Sequence, residues 1–125
     1  MSWVLPAEDT DRALSLRSYA LDNPQALLLV PPTFWYEVTN VLWVAIHRKR
    51  LNGKEAFKAL ELLIDFEFTT WIADPGNCLK LSLTHNLAVY GTAYLDIAID
   101  KQAALWTLDQ KLKKAADGLD ITVLP

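Results

Sequence analysis

Ala26-Leu27-Leu28-Leu29-Val30 is a continuous apolar run, with Pro24 just upstream and Pro31-Pro32 directly after it. Proline neither continues a helix nor pairs in the middle of a sheet, so the run is short and isolated. Its length suits a strand rather than a helix. No polar residue alternates within it, so both faces of that strand are expected to be buried. That is the situation of a parallel sheet covered by helices. Parallel strands need crossover connections, and these are usually helical.

The rest of the sequence provides them. Thr33 to Arg50 follows the prolines and places Phe34, Val38, Val41, Leu42 and Ala45 on one stripe of a helix. Thr33 is expected to cap the helix start by accepting a hydrogen bond from a free backbone N–H. Arg48-Lys49-Arg50 puts cations at the negative end of the dipole. Asn52-Gly53 reads as a turn. Lys54 to Asp65 reads as a second amphipathic helix with Phe57, Leu60 and Ile64 inside. Phe68 to Ile72 is rich in aromatic and β-branched residues and reads as a strand. After a turn at Asp74-Pro75-Gly76, Cys78 to Leu87 is helical with Leu79, Leu83 and Leu87 in line, and Tyr90 to Ile99 is a further helix. Ala103 to Thr107 is a strand candidate. Asp109 starts a short helix carrying Leu112, Ala115 and Ala116, Gly118 closes it, and Ile121 to Leu124 is a last strand. Upstream, Glu8-Asp9-Thr10 opens a helix to about Leu21. Trp3-Val4-Leu5, cut by Pro6, reads as the tail of an element rather than a whole one. Strands alternating with helices define an α/β fold with a mostly parallel sheet.

A chain of 125 residues fits one domain, 1–125, around one core. It is 52% hydrophobic and 22% charged, which excludes disorder. A net charge of −3 argues against nucleic-acid binding by bulk charge and leaves room for a local basic patch. Cys78 is the single cysteine and forms no internal disulfide, as suits a reducing cytoplasm. No apolar run approaches the roughly 18 residues that span a bilayer. The segment from Met1 to Pro6 lacks the basic and apolar regions of a signal peptide.

In parallel sheets, sites form beyond the carboxyl ends of the strands. Asp109 follows one strand candidate directly, and Glu37 follows another across the Pro-Pro. On a wheel of about 100° per residue, Glu37 lies roughly 60° from Phe34, at the edge of the apolar stripe. A carboxylate there is partly dehydrated and needs a partner. Asn40 borders the same edge. Two acids far apart in sequence are therefore expected on one rim.

Four stretches carry a family resemblance: Trp3-Val4-Leu5-Pro6-Ala7-Glu8-Asp9, Pro32-Thr33-Phe34-Trp35-Tyr36-Glu37-Val38-Thr39-Asn40-Val41-Leu42, Leu87-Ala88-Val89-Tyr90-Gly91-Thr92-Ala93-Tyr94-Leu95 and Trp106-Thr107-Leu108-Asp109-Gln110-Lys111-Leu112. In order and spacing they resemble a PIN domain of the VapC-like toxin group, over nearly the whole chain. The resemblance implies a PIN-like three-layer sandwich. It implies a metal-dependent ribonuclease, the toxin half of a toxin–antitoxin pair, which hydrolyses RNA phosphodiesters with Mg²⁺ or Mn²⁺ held by carboxylates. It further implies a cytoplasmic protein, a cognate antitoxin and a homodimer. Residue by residue, Glu37 matches the helix acid and Asp109 the acid after the strand, so these two are the expected catalytic and metal-holding groups. Asn40 and Thr107 would orient them.

Two of the four family acids have no match. The first belongs to the end of an opening strand that lies before Trp3, so the first strand is expected to be missing from this chain and the sheet to be open to a second copy. The other falls at Gly91. Asp96, five residues on, is roughly 140° around the helix from it. A reading of another class stays open beside the enzyme: a catalytically inactive PIN-like module for binding and dimerisation.

The remaining candidates have plainer readings. Arg48, Lys49, Arg50, Lys54 and Lys58 form a basic cluster that fits a solvated helix end or an RNA phosphate contact. Lys111, Lys113 and Lys114 read as an exposed helix face. His47 and His85 have no partner at metal-ligand spacing. Trp35, Trp43, Trp71 and Trp106 read as core or interface rather than base-stacking platforms, and Cys78 as a small buried hydrophobe.

Overall fold

The computed structural model describes residues 2–4, 27–65, 68–107 and 109–124. The helix expected from Glu8 to Leu21 lies outside them. By backbone contacts the chain divides into two compact units.

The first unit holds the sheet. Its strands are β1 (Ser2–Val4), β2 (Leu27–Val30), β3 (Phe68–Thr70), β4 (Ala104–Trp106) and β5 (Val123–Leu124). They run in the order β3-β2-β1-β4-β5, and every pairing is parallel. Leu28, Leu29 and Val30 are all buried, as their uninterrupted apolar character requires.

The expectation of a missing first strand is overturned here. Ser2–Val4 occupies the centre of the sheet, with Trp3 level with Leu28 on one side and Ala104 on the other. A central strand draws its hydrogen bonds from both neighbours, so three residues with little periodicity of their own suffice. Among the described residues the five strands pair without a break in the sheet.

Three described helices belong to this unit: α3 (Pro75–His85), α4 (Val89–Lys101) and α5 (Gln110–Gly118), numbered after the two described helices of the second unit. α4 is buried at Thr92 and at every position from Tyr94 to Ala98. A helix buried on so many sides is covered on more than one face. It contacts β1, β2 and β4, and also α3 and α5. The core joins Leu29 and Leu105 of the sheet to Tyr94, Leu95 and Ile97 of α4 and Leu112 of α5. Each such side chain contributes about 1.5–3 kcal/mol when taken out of water.

Asp74-Pro75-Gly76 is a helix start rather than a turn. The Asp74 carboxylate accepts from the Asn77 N–H at 2.8 Å, and Pro75 occupies the first turn, where a missing N–H costs nothing. Along α3 the inward line runs through Cys78, Leu81 and Ser82, so Leu79 and Leu83, one residue off it, are exposed. Only Leu87 of the expected leucine line packs on the core.

The second unit holds α1 (Phe34–His47) and α2 (Gly53–Ile64), which pack together. α1 buries Phe34, Val38 and Leu42, the expected stripe. α2 begins with a reciprocal cap: Asn52 accepts from the Glu55 N–H at 2.8 Å, and Glu55 accepts from the Asn52 N–H at 3.1 Å. Its inward line is Ala56, Leu60 and Leu63, at i, i+4 and i+7. Phe57 and Ile64 therefore point away and are 70% and 59% exposed, contrary to the expectation that they lie inside.

Candidate active site

Asp109 stands just beyond the carboxyl end of β4, where a parallel sheet places its sites. Its backbone is extended (φ −65°, ψ 115°) and its carboxylate caps α5. Oδ1 accepts from Lys111 N–H at 2.9 Å and from Leu112 N–H at 3.3 Å. The Asp109 N–H in turn donates to the Thr107 hydroxyl at 3.0 Å. Thr107 is fully buried. The backbone at residue 109 is thus fixed from below while the carboxylate is exposed above it. Thr107 and Asp109 are brought together as expected, through the backbone of Asp109 rather than through its carboxylate.

Glu37 lies in the first turn of α1, half-buried, with Asn40 exposed one turn on. Thr33, expected to cap this helix, does not. It is in the helical region (φ −76°, ψ −10°) and makes no side-chain cap. Its hydroxyl instead donates to Glu37 Oε1 at 3.0 Å. A cap oxygen reaches the backbone N–H groups only from an extended residue. Once Thr33 is itself helical, its side chain meets position i+4. The spacing of threonine four residues before an acid was the available signal, and reading Thr33 only as a cap missed it.

Glu37 and Asn40 belong to the second unit, and Thr107 and Asp109 to the first. Among the described residues, no group of three or more His, Cys, Asp or Glu is placed to hold a metal ion. Gly91, where the family resemblance expects an acid, faces α5: a Cβ there would lie 3.3 Å from Leu112 Cδ2. A side chain at 91 would thus adjoin the first turn of the helix that Asp109 caps. Asp96 is turned to structure. It is buried, and its Oδ2 accepts from the Asp74 N–H at 2.8 Å. The position after β1 is Leu5, followed by Pro6, so no carboxylate follows the opening strand directly.

The plainer candidates are largely where they were expected. Cys78 is buried, and its thiol pKa is pushed up by burial first and by the charges of Asp96 and Asp74 next. Arg48, Lys49, Arg50, Lys54 and Lys58 are exposed. His47 stacks on Trp43, with centroids 5.4 Å apart. Trp43 itself is 60% exposed rather than core. The Trp71 indole donates to Asp100 at 3.0 Å, with Lys101 Nζ 3.2 Å from its ring centroid.

No family model matches the chain. In fold it is similar to the crystal structure of PAE2754 from Pyrobaculum aerophilum, with a TM-score of 0.77 over 98% of this chain and 83% of that one, at 18% identity. In sequence it is similar to Ribonuclease VapC3 of the same organism, 34% identical over an 88-residue alignment that covers 67% of this chain and 67% of that one. The parallel sheet and this structural likeness support a PIN-like α/β fold. The chain belongs to the VapC family. No helix among the described residues is long and apolar enough to cross a membrane.

Proposed function

We propose that this chain is the ribonuclease toxin of a toxin–antitoxin pair, hydrolysing RNA phosphodiesters with a divalent ion held by Glu37 and Asp109. The observation that carries the reading is the 34% identity to a VapC ribonuclease, taken with an acid seated beyond a strand end on a fixed backbone. In this reading the chain is cytoplasmic, pairs with a cognate antitoxin protein and dimerises.

The donor chemistry fits a hard cation. Mg²⁺ takes oxygen ligands, keeps several waters, and is commonly held by one or two carboxylates together with substrate phosphates. Asp109 spends Oδ1 on the helix cap and has a second oxygen beside it. Glu37 has one oxygen held by Thr33. Bound Mg²⁺ or Mn²⁺ supplies a water of lowered pKa and neutralises charge on the phosphate. The chain's own residues orient: Thr107 fixes the Asp109 backbone, Thr33 restrains the Glu37 carboxylate, and Asn40 lies on the Glu37 side for a polar contact to ligand or substrate.

The Glu37→Gln variant tests this, because it keeps the shape and removes the charge. It should fold as the parent does and lose metal-dependent RNA cleavage. Cleavage at the parent's rate would refute the assignment.

A second reading has its own observation. Gly91 offers no ligand, no carboxylate directly follows β1, and no acidic triplet forms among the described residues. A VapC-type domain that binds its partners without cutting RNA is consistent with that donor set. It predicts no difference in cleavage between the parent and the Glu37→Gln variant.

A further inference from the structure

The first unit contains a groove of about 610 Å³ between α5 and the segment entering β5. One wall is Gln110, Lys113, Lys114 and Asp117, and the other is the 121–123 segment. The four wall positions on α5 recur at i, i+3, i+4 and i+7, one face of the helix. Leu112, Ala115 and Ala116 bury the opposite face. The sequence thus fixes which side of α5 faces the groove.

Three features bear on what the groove takes. Its charged groups are two lysines and one aspartate, so it is locally cationic in a chain of net charge −3. It begins at Gln110, the residue after Asp109, and the lysines stand about 6–7.5 Å from Asp109 along the helix axis. The other wall offers the Thr122 hydroxyl between Ile121 and Val123, a polar group flanked by apolar surface. Ammonium groups suit phosphates as point charges. A cationic groove is the kind of surface that tracks the backbone of a single strand. An acidic protein segment adding to the free edge of β5 is the rival occupant. It is disfavoured because lysines beside an edge discourage strand addition.

We propose that this groove holds single-stranded RNA on one side of the bond to be cut, with Lys113 and Lys114 neutralising neighbouring phosphates. The inference rests on the ribonuclease reading for its substrate. It differs in its residues, which are not the carboxylates.

The test is fluorescence anisotropy of a labelled single-stranded RNA with the Glu37→Gln protein, so that the RNA stays whole, over a range of salt. Lys113→Gln with Lys114→Gln is then added, with Lys80→Gln at an exposed position of α3 as a comparison and Lys113→Arg/Lys114→Arg as a rescue. Each phosphate contact to a single strand contributes a slope of about 0.7 in log affinity against log salt. Losing two contacts should make the slope shallower by about 1.4 and shrink the loss of affinity between 50 and 200 mM salt about sevenfold. The Lys80→Gln comparison should leave the slope as it was, and the arginine pair should restore it, which separates lost charge from misfolding.

An unchanged slope in the Lys113/Lys114 variant overturns the proposal, as does RNA that fails to bind at low salt. Polyglutamate bound through these lysines, with RNA bound independently of them, also overturns it and assigns the groove to a protein segment. If the parent cuts no RNA while binding still depends on the two lysines, the catalytic reading fails and the groove stands. If the parent cuts RNA with a slope indifferent to them, the groove fails and the catalytic reading stands.

Discussion

Asp109 has two tasks, and they separate by substitution. As the N-cap of α5 it satisfies two backbone donors through one oxygen. As a proposed metal ligand it needs its charge. Asp109→Asn keeps an oxygen at the cap, and asparagine caps about as well as aspartate. It forfeits only the favourable charge–dipole interaction, about 0.3–1 kcal/mol at an exposed site. Asp109→Ala removes the cap as well, which typically costs about 1 kcal/mol on top. Unfolding entropy near 2.1 cal/mol/K per residue amounts to about 0.26 kcal/mol/K for 125 residues, so 1 kcal/mol shifts Tm by about 4 °C. Thermal unfolding followed by circular dichroism should place Asp109→Asn about 1–4 °C below the parent and Asp109→Ala about 4 °C lower again. Cleavage of RNA should be lost equally in both. If Asn and Ala melt together, the side-chain cap is not what holds the start of α5. If Asn cuts RNA as the parent does, the carboxylate is not a ligand.

Other outcomes follow from the same geometry. Gly91→Asp restores an acid at the family position. Leu112 must yield a few tenths of an ångström, while leaving glycine and adding an acid to a first helical turn both favour the helix. The variant should therefore fold and bind Mg²⁺ more tightly than the parent in calorimetry, and unchanged affinity would refute the placement of residue 91 at the site. The Cys78 thiol has a folded-state pKa above its ordinary value of 9.0. The folded state then holds this proton more tightly than the unfolded one, so the contribution is complete below pH 9.0 and is lost as pH rises through the folded value. Urea unfolding from pH 8 to 10.5 should show the parent losing stability faster than Cys78→Ala, and parallel curves would contradict it. Gln102 ends α4 in a left-handed conformation, φ 50° and ψ 43°. Gln102→Gly should raise stability by about 1 kcal/mol, read as a higher Tm.

Local chemistry was legible in the sequence, and pairing was not. The apolar run before Pro31 announced a doubly buried strand. Asp109 with Leu112, Ala115 and Ala116 announced a capped amphipathic helix, and both stand as read. Ser2–Val4 was not legible as a central strand, because three residues carry almost no periodicity and their role comes from β2 and β4. Asp74-Pro75 serves equally as turn or helix start, and only the bond to Asn77 decides. At Phe57 and Ile64, and again at Leu79 and Leu83, the spacing was helical, but a neighbouring line one residue away faced inward. Periodicity identifies a helix before it identifies the face that packs. Glu37 and Asp109 were reached through the strand-end rule and the family resemblance. Thr33 was missed because its role depends on a backbone angle that residue type does not specify.

Glu37 and Asp109 are proposed to make a metal-dependent ribonuclease site. The most direct measurement is cleavage of a mixed RNA pool by the purified chain with Mg²⁺, with Mn²⁺ and with chelator, beside the Glu37→Gln variant prepared identically. Such a site should cleave with either ion, not with chelator, and not in the variant. Cleavage that survives chelation, or that matches the variant's, would contradict it.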